Sequence, residues 1–286
     1  MTSRPNVLIT AATGYVGARV VRQLHVQGVK VAACARDRAR AVAALPAGTE
    51  IRIADYEDFS SLKAAFQGVD SLLVVPSDGF AKSILGHVRN MIEAAQISRV
   101  GRIVLLSMVD IAPDSAFYFT PVYRDAESLI FASGLKWTIL RSGLYSDLIR
   151  DFWLTPAAKS GILSLPAGDA QVAPILRDDV ALAAAKALLK DLPGEILTLT
   201  GPEALTFWEV SRVYSQVKGV PFRYESINPA DYLLSLWDKV PDPWPHAFSS
   251  MLGSIREGRF GEVSRDFKSL VGRPALPFHS CLDGSR

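Results

Sequence analysis

The chain is poor in the residues that staple or metallate a fold. Its 286 residues include two cysteines and four histidines. Cys34 falls within a run that reads as a core strand and the other cysteine is Cys281, so no disulfide framework is expected. No Cys/His cluster has metal-site spacing, and no catalytic metal is expected. Neither sign of charge dominates: 31 Lys and Arg face 29 Asp and Glu, a formal net charge of +2. That balance lacks the clustered basic face of a nucleic-acid binder. No apolar run approaches the roughly 18 residues of a membrane span, and no apolar leader precedes the first strand. A cytoplasmic protein without nucleic-acid or membrane partners is expected. There is no internal repeat. What is present in quantity is apolar residue, 49% of the chain, enough for a sizeable core.

Residues 6–17 read Asn-Val-Leu-Ile-Thr-Ala-Ala-Thr-Gly-Tyr-Val-Gly. An apolar run, Val7–Ile9, is followed by a turn of small residues, and then Val16, Val20, Val21 and Leu24 recur at helical spacing. Strand, tight turn, helix is the context a dinucleotide-binding fingerprint requires. The turn lets backbone approach a pyrophosphate, and the first helical amides point at its charge. Thr10, Ala11, Thr13, Gly14, Tyr15, Val16 and Gly17 are therefore candidate cofactor contacts. Ala11 stands where such turns usually begin with Gly, which predicts φ < 0 there. Plain strand–helix packing is the competing explanation of the small residues.

Strand and helix patterns then alternate. Strands are expected at Lys30–Ala35, Ile51–Ala54, Ser71–Val75, Ile103–Ser107 and Trp137–Leu140. Helices are expected at Arg38–Leu45, Asp58–Phe66, Ile84–Ala95 and Tyr123–Ser133, the last closed by Gly134. This rhythm predicts an α/β fold, a Rossmann-type doubly wound, mostly parallel sheet. Beyond residue 141 the rhythm loosens. Helices are read at 147–158, 180–189, 207–218, 230–239 and 245–256, and strands at 196–200 and 223–226. The expected organisation is a dinucleotide-binding domain over 1–145, completed by about 176–200. A smaller, mostly helical substrate lobe spans 146–175 and 201–286.

The ends of the strands supply the other candidates. Arg36 follows the second strand, where an acid would take the ribose 2′-hydroxyl of NAD; an Arg there clamps a 2′-phosphate instead. This favours NADPH, against the alternative of a solvated Arg. Asp37 is placed to cap the next helix. Asp55 either approaches the adenine or begins a turn, and Pro76, Ser77 and Asp78 line the path of the ribose and nicotinamide. Ser107 occupies the place of the serine of short-chain dehydrogenases. Tyr123, however, is followed four residues later by Glu127, so a Tyr-x-x-x-Lys pair is missing. A carboxylate near Tyr123 would raise the tyrosine's pKa, the wrong direction for a base. Tyr123 is either a catalytic residue or a pocket aromatic. Ser142, Gly143, Leu144 and Tyr145 close the sixth strand, where Gly143 permits close approach and Tyr145 can stack on a planar ligand. His25 and His87 fall on polar helix faces. Phe152, Trp153, Trp237, Trp244 and Phe248 either wall an apolar cleft or form the core of the second lobe.

Together these pieces resemble the NmrA-like branch of the atypical short-chain dehydrogenases, and are similar to its flavin-free NADPH:quinone oxidoreductase and triphenylmethane reductase members. The resemblance rests on Ile9–Gly14, Arg36, Ala54-Asp55-Tyr56, Gly68-Val69-Asp70, Leu140–Tyr145, Arg177–Val180 and Phe267–Pro274. It implies NADPH held by the Thr10–Val16 turn, Arg36, Pro76–Asp78 and Ser142–Asp147. It also implies direct hydride transfer to a planar quinone-like acceptor without a Tyr/Lys pair, and allows a homodimer. Some members of that branch bind the dinucleotide and a protein partner without turnover, which is the alternative function.

Overall fold

The computed structural model describes residues 6–283. Seven strands form one sheet: β1 (Val7–Ile9), β2 (Val31–Ala35), β3 (Glu50–Ile53), β4 (Ser71–Val74), β5 (Arg102–Met108), β6 (Lys136–Ser142) and, after a long excursion, β9 (Glu195–Leu199). The order is β3-β2-β1-β4-β5-β6-β9, and the pairs among the first five strands are all parallel. This is the doubly wound Rossmann arrangement that the alternation predicts. The sheet order reverses between β1 and β4, which places a crevice beyond their carboxyl ends.

The connecting helices are α1 (Tyr15–Val26), α2 (Arg38–Ala44), α3 (Phe59–Ala65), α4 (Ala81–Ile97) and α5 (Thr120–Ala132). Their starts follow local chemistry. Asp37 caps α2 by accepting from the Arg40 amide, and Asp58 caps α3 through the Ser60 and Ser61 amides. α5 is followed by Gly134 at φ +69°, a conformation that glycine adopts at little cost. The apolar stripes bury Leu8, Leu72, Val88, Met91, Ile103, Ala126 and Ile139 in one core.

The remaining elements are a helical stretch, α6 (Ser146–Leu148) running through a π-helical turn (Ile149–Leu154) into α7 (Thr155–Ala157), then β7 (Ile162–Leu165), β8 (Gln171–Val172) and α8 (Arg177–Leu189). After β9 come β10 (Leu205–Thr206), α9 (Phe207–Lys218), β11 (Arg223–Ser226), α10 (Pro229–Leu236), α11 (Trp244–Arg256) and α12 (Asp266–Val271). β7, β8, β10 and α12 are absent from the sequence reading; β8 and β10 span two residues each, too few to show a period. β7 and β11 pair in parallel, and β8 and β10 antiparallel, as two separate two-stranded sheets.

The contacts divide the chain into two units. The first runs up to Ser107 and includes Val122–Arg141 and Val180–Leu197; the second comprises Met108–Pro121, Ser142–Asp179 and the chain from Thr198. Residues 108–121 and 142–145, which the strand rhythm assigns to the first domain, therefore group with the second. Their buried polar contacts explain this. Asp110 accepts hydrogen bonds from Ser115 and Ser254, and Gly143 donates to Leu199.

Candidate active site

The first unit brings the fingerprint to the switch point. Thr10 is fully buried; its hydroxyl donates to the Leu73 carbonyl (3.0 Å) and accepts from the Val75 amide (2.9 Å). It thus ties the ends of β1 and β4 together, and its side chain serves the scaffold. Ala11 is the correction to the sequence reading: its φ is +46°, not negative. Two contacts impose this. The Ala11 carbonyl accepts from Gly14 N–H at 2.9 Å, and the Ala11 amide donates to the Tyr56 hydroxyl. A left-handed alanine costs about 1–2 kcal/mol and persists where its surroundings over-determine it.

Gly17 explains why this turn needs a glycine. A Cβ there would sit 2.3 Å from the Ala11 carbonyl oxygen. At Gly14 the same oxygen would be 3.2 Å away. Gly14, the N-cap of α1, offers no side-chain cap, and no acid stands in the helix's first turn. The leading amides are left for an anion, which is the arrangement that takes a pyrophosphate. Tyr15 is exposed and Val16 buried, while Thr13 is half-buried on the turn. The residues present therefore fit a dinucleotide.

Arg36 lies exposed directly after β2. Its neighbours are committed: Asp37 to the α2 cap and Arg38 to the Ile51 carbonyl at 3.3 Å. Arg36 has no hydrogen-bond or ion-pair partner among the described residues. Its charge still acts on Tyr56: burial pushes that phenol's pKa up, and Arg36 is among the groups opposing it. Asp55 begins a turn, accepting the Glu57 amide at 3.0 Å. Ser77, with Pro76 and Asp78 on either side, meets His87 Nδ1 at 2.7 Å; His87 Nε2 lies 3.5 Å from Glu57 Oε1, and the Tyr56 ring stands edge-on at 5.8 Å. The sequence reading left His87 on a polar helix face and gave Tyr56 no task. Tyr56 and His87 are functional candidates that only tertiary contact reveals.

Ser107 is 3% exposed near the end of β5. Its hydroxyl donates to Glu127 Oε1 at 2.7 Å. Arg141 on β6 grips the same carboxylate twice, Nε to Oε1 at 3.0 Å and Nη2 to Oε2 at 2.6 Å. The Glu127 carboxylate, expected to bear on Tyr123, is thus held by Ser107 and Arg141. Tyr123 is half-buried on α5, one turn before Glu127.

The second unit carries the other candidates. Ser142 is buried and donates weakly to the Gly143 carbonyl at 3.2 Å; Leu144 is buried. The close approach at Gly143 is to protein: a Cβ there would stand 3.3 Å from the Ala173 carbonyl. Tyr145 lies under the Arg177 guanidinium, 5.0 Å from its ring, and burial pushes its pKa up. Arg177 in turn donates to the buried Asp147 at 2.9 Å. The five aromatics of the sequence reading separate. Trp153 is core, edge-on to Phe207 and bonded to the Tyr232 hydroxyl at 3.1 Å. Phe119, Trp244, Phe248 and Phe152 form a row of ring contacts, with centroids 5.9, 5.7 and 5.1 Å apart, ending at the half-exposed Phe152. Trp237 lies apart, against His246.

Comparison with known proteins agrees with this geometry. Residues 11–191 match the family model described as NAD(P)H-binding. The chain is 30% identical to quinone oxidoreductase 2 of Escherichia coli over 274 residues, 94% of each chain. It is 31% identical to a (4-alkanoyl-5-oxo-2,5-dihydrofuran-3-yl)methyl phosphate reductase of Streptomyces griseus, covering 95% of each. In structure it is similar to the Citrobacter triphenylmethane reductase complexed with NADP(H), with a TM-score of 0.90 and 25% identity over 96% of this chain and 98% of that one. No helix among the described residues is long and apolar enough to cross a membrane. With an uncapped α1 at the switch point of a Rossmann sheet and reductases as full-length relatives, the chain belongs to the NAD(P)H-binding family and is an NAD(P)H-dependent oxidoreductase of the quinone- and azo-reductase type.

Proposed function

We propose that this protein transfers hydride from NADPH directly to a quinone or a similar planar conjugated acceptor. The observation that carries the cofactor half is Arg36, exposed at the end of β2 and without a hydrogen-bond or ion-pair partner among the described residues. In this reading it clamps the 2′-phosphate, the α1 turn from Ala11 to Gly17 takes the pyrophosphate, and Pro76–Asp78 follow the ribose. When bound, the dihydronicotinamide supplies the hydride. The chain's own residues position the partners, and proximity and orientation account for the rate. A proton comes from water or from the acceptor's own groups. In the second unit the half-exposed Phe152, together with the partly exposed Trp244 and backed by the buried Phe119 and Phe248, is suited to stack on a flat apolar acceptor.

Relatives named for a quinone and for an azo substrate support this class of acceptor. Steady-state NADPH oxidation across a panel of benzoquinones, naphthoquinones and azo dyes tests it. Turnover with at least one planar acceptor, and a higher kcat/KM with NADPH than with NADH, is the expected result. Tight NADPH binding with no turnover on any acceptor would replace it with the dinucleotide-sensing alternative.

A further inference from the structure

We infer that Glu127 is a positioning residue that reverses the hydrogen-bonding polarity of Ser107, so that Ser107 meets the acceptor as a hydrogen-bond acceptor and never as a donor. The inference rests on the proposed reaction, and on three residues of one unit. A serine hydroxyl owns a single proton. In this fold it is given to Glu127 Oε1 at 2.7 Å, in a site where Glu127 is 2% exposed. The carboxylate has no proton to return. Arg141 holds it in a bidentate ion pair, at 3.0 and 2.6 Å, so that it is fixed as an acceptor. What remains to Ser107 on its other side is lone pairs.

A chemical preference follows. Reduction of an isolated carbonyl breaks the C4–H bond of the dihydronicotinamide, forms a C–H bond on the carbonyl carbon and leaves the electron pair on oxygen as an alkoxide. That oxyanion needs a donor beside it, and Ser107 has none to give. In a quinone or an extended conjugated acceptor the same two electrons spread to a remote atom, which solvent protonates. The Ser107–Glu127–Arg141 unit therefore selects against simple ketones and aldehydes. It also favours ligands that bring a hydroxyl proton of their own, such as the hydroquinone product.

Equilibrium titration separates this from a structural role. The probes are 1-naphthol, which donates, and 1-methoxynaphthalene, which only accepts, followed by tryptophan fluorescence in the presence of NADP+. In Ser107→Ala, 1-naphthol is expected to weaken by about five- to tenfold, the loss of one hydrogen bond, with 1-methoxynaphthalene unchanged. In Glu127→Gln the side-chain amide can donate to Ser107 and release its proton, so 1-methoxynaphthalene gains by a similar factor. The double variant loses that gain. Weakened 1-methoxynaphthalene binding in Ser107→Ala, or no change in either probe, overturns the assignment. If Glu127→Gln does not fold, the Ser107→Ala titration decides alone. Wild-type protein that reduces quinones yet shows no naphthol preference refutes the Ser107 polarity and leaves the reductase reading standing.

Discussion

At the scale of the residue, two side chains just beyond β2 and β3, Arg36 and Tyr56, give separate tests of the dinucleotide site. If Arg36 grips the 2′-phosphate, Arg36→Ala should weaken NADPH and leave NADH nearly unchanged. A charge-assisted contact of about 1.5–3 kcal/mol corresponds to a loss on the order of tenfold to a hundredfold. Parallel titration of both cofactors on wild type and variant measures this, and equal losses would withdraw the 2′-phosphate role. Tyr56 acts from beneath the turn. Tyr56→Phe removes the acceptor of the Ala11 amide and should lower stability by about 1–3 kcal/mol, seen as a reduced melting temperature together with weaker NADPH binding. A variant that melts like wild type would show that water replaces the hydroxyl. Asp55-Tyr56 was visible in the sequence as a strand end. The reach of its hydroxyl to a backbone amide 45 positions earlier was not, because it depends on how β1, β2 and β3 lie side by side.

At the scale of the element, α1 and α9 begin by different means. α1 starts on Gly14 with no side-chain cap, and its entry is set by steric fit: a Cβ on Gly17 would stand 2.3 Å from the Ala11 carbonyl. Gly17→Ala should push the helix start off the turn, cost about 1–3 kcal/mol as an overpacked contact, and weaken the dinucleotide; melting and NADPH titration read both. α9 is closed by a full capping box, in which Thr206 accepts the Glu209 amide at 3.2 Å and Glu209 accepts the Thr206 amide at 2.8 Å. Those hydrogen bonds hold the Glu209 carboxyl below its usual range. Thr206→Ala should cost about 0.5–2 kcal/mol, confined to the second unit, with NADPH affinity unchanged. The sequence reading places α9 at 207–218, the bounds it has in the structure, while its capping box is not read. β8 and β10 are not placed, since a strand of two residues shows no period of its own and exists only through its pairing.

At the scale of the whole molecule, each unit holds one buried thiol, Cys34 in the first and Cys281 in the second. Burial pushes both up from 9.0 to about 12. Between these values the unfolded thiol is ionised and the folded one is not, so the folded state binds more protons and stability falls as pH rises. By linkage the loss is roughly 1.4 kcal/mol per thiol at pH 10 and near zero at pH 8. Urea melts at the two pH values measure it, with Cys34→Ala and Cys281→Ala as controls that should flatten the dependence. The same burial predicts that neither thiol reacts with a disulfide reagent in the native protein at pH 8. Labelling of Cys34 and Cys281 at increasing urea then reports the opening of each unit by itself.

The sequence alone determined the Rossmann sheet, the α1 fingerprint, the Asp37 cap and the class of cofactor. All of these are local: apolar period, turn residues and a cap act within a few positions, and the β-α-β rhythm leaves few topologies open. Tertiary structure decided the rest. It placed Ala11 in the left-handed region against its own preference, because Tyr56 and Gly14 hold it there. It bound Glu127 to both Ser107 and Arg141, three residues on α5, β5 and β6 that share no sequence motif. It turned Gly143 toward the Ala173 carbonyl, and set Trp153 in the core of the second unit while Phe152 ends a row of ring contacts half-exposed. A side chain's chemistry depends on which partner satisfies its protons and lone pairs, and that partner is chosen by the packing of the whole sheet.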